Sequence, residues 1–149
     1  MGFDKISLKG RALRLLAGRE HSRAELEKKL APHEEESGEL QRSLDELQAK
    51  GFISDQRVVE SVIHRRAARL GVGRVKQELQ AKGISADAMA EALDRLRGTE
   101  VQRAREVWRK KFGEAAADAA GRAKQMRFLA ARGFGAEAIR RVVSGGEDD

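Results

Sequence analysis

The chemistry available to this 149-residue chain is carried by its cations. The stretch HRRAARLGVGRVK, residues 64–76, holds Arg65, Arg66, Arg69, Arg74 and Lys76 with no acidic residue among them. RAREVWRKK, residues 103–111, sets five cations against Glu106, and RAKQMRFLAAR, residues 122–132, holds Arg122, Lys124, Arg127 and Arg132, again without an acid. Three such clusters at successive intervals suit a line of phosphates or carboxylates, because attraction to a polyanion needs charge spread along a path. The candidate contact residues are Arg65, Arg66, Arg69, Arg74, Lys76 and Lys82, followed by Lys124, Arg127, Arg132, Arg140 and Arg141. A chain that is 36% charged owes many of these side chains to solubility, but the acid-free runs weigh against solubility as the whole account.

Other chemistries find little support. Cysteine is absent, which removes thiolate metal sites, disulfides and thiol nucleophiles. His21, His33 and His64 have no paired spacing that would put two imidazoles on one helical face for a metal. The GVGR of residues 71–74 lacks the Lys-Ser/Thr of a nucleotide-binding loop. Trp108 and Phe112 lie four apart and could stack on bases, yet Val101 and Ala104 share their face, so core packing accounts for them better. The expectation is a protein without catalysis, metal or cofactor.

Charge placement says more than the net +6 and the pI near 10.0. Residues 1–54 balance ten cations against ten acids, residues 55–144 set twenty against eleven, and the final GGEDD adds three acids. A basic body behind a neutral head points to nucleic acid or an acidic protein surface. Residues 145–149 are expected to form a disordered acidic tail. No apolar run is long enough to cross a bilayer and no signal-peptide core is legible, so a cytoplasmic location without membrane attachment is expected.

The elements that must position the cations are all helical. Apolar residues recur at three and four: Leu40, Leu44 and Leu47; Val58, Val59 and Val62; Met89, Leu93 and Leu96. Ser22–Glu25 and Thr99–Gln102 fit the capping box, and Ser54 and Ser85 are N-cap candidates. The pentapeptide LQAKG occurs at 47–51 and again at 79–83, with LAARG at 129–133. Each places a cation and then glycine at a helix end, followed by an apolar residue that folds back on the last turn. Aligning Leu30, Leu79 and Leu129 gives three units of about 50 residues. Helices are expected near 5–17, 22–31 and 37–50; 55–70, 73–82 and 86–97; and 99–112, 116–132 and 136–143. The predicted architecture is all-α: three tandem three-helix modules, 1–53, 54–98 and 99–144, in an elongated, curved helical-repeat rod, expected to be a monomer. In this parse Gly83 and Gly133 end second helices, whereas Gly51 ends a third helix at a joint.

At this point the chain resembles the RecX family of bacterial regulatory proteins over nearly its whole length. ALRLLAGREHSRAELEKKL resembles the family's opening through Ala12, Leu13, Leu16, Arg19, Ser22, Glu25, Leu26, Lys29 and Leu30. KGFISD resembles the join to its second unit. GVGRVKQELQAKGI resembles its central motif through Gly71, Arg74, Val75, Glu78, Leu79, Lys82, Gly83 and Ile84, and KQMRFLAARGF its third-unit motif through Lys124, Arg127, Leu129, Arg132, Gly133 and Phe134. Where the family often carries an aromatic after SD, this chain has Val58 and Val59. The resemblance implies modules that bind in the groove of the RecA filament on single-stranded DNA and inhibit its recombinase, ATPase and coprotease activities, modulating recombination and the SOS response. Direct contact with single- or double-stranded DNA is a further implied partnership. The rival readings are a general DNA-binding protein with helix-turn-helix-like modules, which predicts tight binding to naked duplex, and a purely structural scaffold, which predicts no response to DNA or filament.

Overall fold

The computed structural model describes residues 5–144, so the expectation for residues 145–149 lies outside the described residues. Among the described residues there are nine α-helices and no strand: α1 (Leu8–Gly18), α2 (Arg23–Leu30), α3 (Glu39–Ala49), α4 (Asp55–Arg66), α5 (Val72–Ala81), α6 (Ala86–Arg97), α7 (Glu100–Lys111), α8 (Ala119–Ala131) and α9 (Ala136–Val143). A short 3₁₀ turn, Ala31–His33, follows α2 at the chain's one proline. No described helix is long and apolar enough to cross a membrane.

Local signals set most boundaries. Ser22 forms the expected capping box: its hydroxyl accepts from the Glu25 N–H at 3.0 Å, and the Glu25 carboxylate accepts from the Ser22 N–H at 2.9 Å. Ser54 and Ser85 cap α4 and α6. The box expected at Thr99 does not form. Its hydroxyl donates to the Leu96 carbonyl at 3.1 Å and accepts from the Arg103 guanidinium at 3.0 Å, so it is spent on the preceding turn. Helix α8 starts at Ala119 because the Asp118 carboxylate caps the Gly121 N–H at 2.8 Å. Helix α4 stops at Arg66, short of the expected 70, because the carbonyls of Ala67 and Leu70 turn toward the Arg103 guanidinium, 2.9 and 2.7 Å away.

Three cores form, one within each set of three helices. Leu26, Leu44 and Leu47 anchor α1–α3 with Ile53; Val58, Val62, Val75, Leu79 and Leu93 anchor α4–α6; Ala104, Leu129, Phe134 and Ile139 anchor α7–α9. Substantial helix–helix packing is likewise confined within each set. The modules do not share a core, so what joins them is polar and local.

Those joints stack the second helix of each module end to end. The left-handed turns at Gly83 (φ 79°) and Gly133 (φ 91°) close α5 and α8, with the Ile84 and Phe134 N–H groups donating back to Leu79 and Leu129. Each turn then abuts the start of the preceding module's second helix. At the α8–α5 joint the Gly71 N–H donates to the Arg132 carbonyl at 2.7 Å and the Gly73 N–H to the Gly133 carbonyl at 3.0 Å. At the α5–α2 joint the Ser22 hydroxyl donates to the Lys82 carbonyl at 2.5 Å. Orphan carbonyls at one helix end thereby meet donors at the next helix start, so the negative end of one helix dipole faces the positive end of the next. Gly51, in the identical pentapeptide, is also left-handed (φ 85°), yet a Cβ there would touch nothing, and Phe52 after it is 47% exposed. The backbone folds back there as at the other two endings, with the Phe52 N–H donating to the Leu47 carbonyl at 2.9 Å, but the Phe52 side chain stays exposed and Ile53 takes the buried place.

Candidate functional site

The eleven candidate cations separate into groups that sequence order does not predict. Arg65 and Arg66 at the end of α4 both reach Glu78 on α5, the latter at 3.1 Å, so their acid-free stretch is neutralised from another helix. Arg140 and Arg141 share the Glu137 carboxylate on their own helix, at 2.5 and 3.2 Å. Arg74 and Lys82 belong to the joints. The Arg74 guanidinium donates to the Ala131 carbonyl at 2.7 Å, and the Lys82 ammonium lies 3.2 Å from Glu25 with only 16% of its side chain exposed. Arg69, Lys76, Lys124 and Arg127 are exposed and have no ion-pair partner among the described residues.

Arg132 is held differently, by an aromatic ring. Its guanidinium carbon lies 4.6 Å from the centroid of Phe128, four residues earlier and one helical turn away. The Lys111 ammonium lies 5.4 Å from the same centroid, and Phe112 packs against Phe128 edge to face at 5.4 Å. Around this ring opens a cleft of about 270 Å³ between the turn after α4 and helices α7 and α8, lined by Arg69, Lys110, Lys111, Arg132, Phe128 and Glu106 together with the aliphatic Ala68 and Val107. It is the place where cations of the second and third modules face one space. Trp108 belongs to the packing, as expected: its indole N–H donates to the buried Gln125 at 2.9 Å.

Two carboxylates that the cation patterns gave no reason to single out organise the joints. The buried Glu100 accepts from the Val72 N–H at 3.1 Å and from the Gly135 N–H at 2.6 Å, and so serves the starts of α5 and α9 together. Arg103 stands beside it at 3.8 Å and donates to three backbone carbonyls, those of Ala67, Leu70 and Leu96; burial lowers its pKa against the opposing effect of Glu100. At the other joint, burial alone would push the Glu25 carboxyl up. The Ser22 N–H, Arg19 and Lys82 outweigh it and hold the group at about 2. The sequence signals were Glu25 as the last residue of a capping box and a position shared with the family's opening, and Glu100 directly after a hydroxyl residue.

His21 is also buried. Its Nδ1 lies 3.0 Å from the Arg19 carbonyl and its Nε2 3.3 Å from the Lys29 ammonium. A carbonyl only accepts and an ammonium only donates, so Nδ1 carries the proton and the ring is neutral. No group of three histidine or acidic side chains converges as a metal site among the described residues. The GVGR segment, considered above as a phosphate loop, is instead the glycine-rich face of the α8–α5 joint.

Comparison with known proteins follows the same three-part division. The family models described as the first, second and third three-helix domains of RecX match residues 9–47, 54–93 and 99–143. The chain is 57% identical over 139 residues to the regulatory protein RecX of Leptothrix cholodnii, covering 93% of this chain and 88% of that one. It is 49% identical over 145 residues to the regulatory protein RecX of Herminiimonas arsenicoxydans, covering 97% and 96%. Among solved structures, RecX from Lactobacillus salivarius superimposes with a TM-score of 0.78 over 92% of each chain at 21% identity, a likeness of fold.

Proposed function

The chain belongs to the RecX family, and from that premise we propose that it is a non-enzymatic regulator that lies along the RecA filament on single-stranded DNA and inhibits its recombinase, ATP-hydrolysing and coprotease activities. The observation that carries this reading is the joint construction. Three modules without a shared core are held end to end by the Glu25–Lys82 pair at one joint and, at the other, by Glu100 accepting from the Val72 N–H while Arg103 donates to the Ala67 and Leu70 carbonyls. A chain built this way presents separate surfaces at fixed intervals, which suits a partner that itself repeats. The cations left without carboxylates, Arg69, Lys76, Lys124 and Arg127, supply attraction to a polyanionic assembly.

The joint role of Arg74 and Lys82 moves both from contact residues to positioning residues, while the other nine remain candidate contacts. Residues 1–53, 54–98 and 99–144 act as the units, the protein works as a cytoplasmic monomer, and no cofactor takes part. The decisive experiment is RecA's DNA-dependent ATP hydrolysis titrated with this protein, beside binding to naked duplex DNA. Inhibition at low stoichiometry with weak duplex binding supports the proposal. Tight duplex binding without preference for filaments replaces it with a general DNA-binding role.

A further inference from the structure

Resting on the filament-binding reading, we propose that the cleft between the turn after α4 and helices α7 and α8 holds the phosphate backbone of single-stranded DNA, with Phe128 supporting cations there and not stacking on bases. Four cations, Arg69, Lys110, Lys111 and Arg132, line the cleft against one carboxylate, Glu106, which lies 2.5 Å from Arg109. Arg69 and Lys110 have no ion-pair partner among the described residues. Arg132 and Lys111 are ordered by the ring, at 4.6 and 5.4 Å, which fixes their positions while leaving their charge uncancelled. The cation clusters whose guanidinium groups meet Glu78 and Glu137 lack this property.

The occupant follows from what the cleft lacks. Protein partners draw most of their affinity from apolar or aromatic anchors that become fully desolvated. The large apolar side chains most exposed on the described surface, Phe52 and Met126, do not line the cleft. Its one aromatic ring is already engaged by Arg132, Lys111 and Phe112, so a base could reach it only by displacing the guanidinium. Ala68 and the half-buried Val107 add apolar surface too small to serve as such an anchor, and the feature that selects an occupant is sequence-independent charge in a concave channel, the requirement of a phosphodiester chain. Lys124 lies one turn before Phe128 on α8, with exposed Arg127 beside it, and extends the path past the cleft.

The test compares two doubly charge-reversed full-length proteins of equal net charge. Arg69→Glu with Lys110→Glu removes the cleft's two free cations; Arg14→Glu with Lys28→Glu removes two exposed cations of α1 and α2. Binding to labelled oligo(dT) and oligo(dA) is followed by fluorescence anisotropy across a salt series. The salt slope of the cleft variant should fall by roughly 0.7 per lost phosphate contact, about 1.4 in all, with the control unchanged and the two oligonucleotides equivalent. If the charge-reversed cleft protein does not fold, the neutral pair Arg69→Gln with Lys110→Gln is read for the same change.

Equal losses in both variants would overturn the proposal, as would a parent protein that binds neither oligonucleotide. Oligonucleotide binding that survives while filament inhibition is lost would assign the cleft to an acidic protein surface instead. A preference between oligo(dT) and oligo(dA) that Phe128→Leu abolishes would overturn the role given to the ring. Failure of the parent protein to slow RecA's ATP hydrolysis would overturn the filament reading alone, whatever the oligonucleotide titration gives.

Discussion

Gly71 and Gly133, 62 positions apart in the chain, meet backbone to backbone: a Cβ added to Gly71 would fall 2.4 Å from the Gly133 carbonyl carbon and oxygen. A Cβ on Gly133 would in turn fall 2.4–2.7 Å from the backbone nitrogen and first side-chain carbons of Arg74. Neither backbone can yield without parting the helix ends they join. The sequence GVGR is therefore shaped by the approach of a second helix.

Alanine substitutions at glycines should separate this approach from simple backbone preference. Gly71→Ala forces backbone from backbone and should cost about 1–3 kcal/mol in urea unfolding. Gly51→Ala meets open space and should cost only about 1–2 kcal/mol, the penalty of a left-handed conformation for a residue with a Cβ. The two differ more clearly in hydrogen exchange: only Gly71→Ala should speed exchange at positions 71 and 73, whose N–H groups bond across the joint.

Glu100→Gln keeps the shape of the side chain but turns one acceptor into a donor facing a backbone N–H. Loss of either bond, to Val72 or to Gly135, should cost about 1–3 kcal/mol, because a buried donor is left unpaired. Two-dimensional NMR should localise the change to the starts of α5 and α9, with the α1–α3 resonances unmoved. A change spread evenly over all three modules would contradict a local role.

The α5–α2 joint should be sensitive to acid. Glu25 has a folded-state pKa of about 2, below its ordinary 4.5, so its contribution is complete above pH 4.5 and is lost as pH falls toward 2. The difference, reduced for partial solvent access, is on the order of 2 kcal/mol. Glu25→Gln should therefore unfold at a lower urea concentration than the parent at pH 7, with the gap closing at low pH.

His21 titrates in a higher window. Burial lowers its pKa from 6.5, opposed by its hydrogen bond to the Arg19 carbonyl; the charges of Arg19 and Lys29 add to the lowering and that of Glu25 opposes it. A lowered folded-state pKa means stability is full above pH 6.5 and declines as pH falls below it. His21→Gln should flatten the stability profile between pH 7 and 5, and a profile as steep as the parent's would show that other groups are responsible.

Charge reversal should divide the candidate cations by their structural duties. Lys124→Glu with Arg127→Glu should weaken inhibition of RecA's ATP hydrolysis with little change in thermal midpoint, since both side chains are exposed and unpaired among the described residues. Arg74→Glu and Lys82→Glu should lower the midpoint, because each repels or deserts a fixed partner, the Ala131 carbonyl or Glu25. Arg65→Glu alone should do little, since Arg66 still reaches Glu78 at 3.1 Å.

Local chemistry was enough to place nearly every helix. Three- and four-residue apolar spacing, serine caps and cation–glycine endings act within one turn of chain, so their consequences are written where they stand. The same reading failed at Thr99 and at the end of α4, where Arg103, arriving from another helix, redirects a hydroxyl and two carbonyls. It also could not tell that Glu78 cancels a run that looks free of acid, that Phe128 orders Arg132 and Lys111, or that Glu100 serves two helix starts.

By itself the sequence determined an all-α chain of three repeated units, a basic body and the resemblance to one family, because these rest on short-range periodicity and summed charge. Tertiary structure alone decided which copy of LQAKG is a joint contact, seated against Ser22 and Ala24, and which is left open at Gly51. The two share every residue of the pentapeptide. The reason is that a helix ending is fixed by its own residues, whereas what it meets depends on chain brought from 60 positions away.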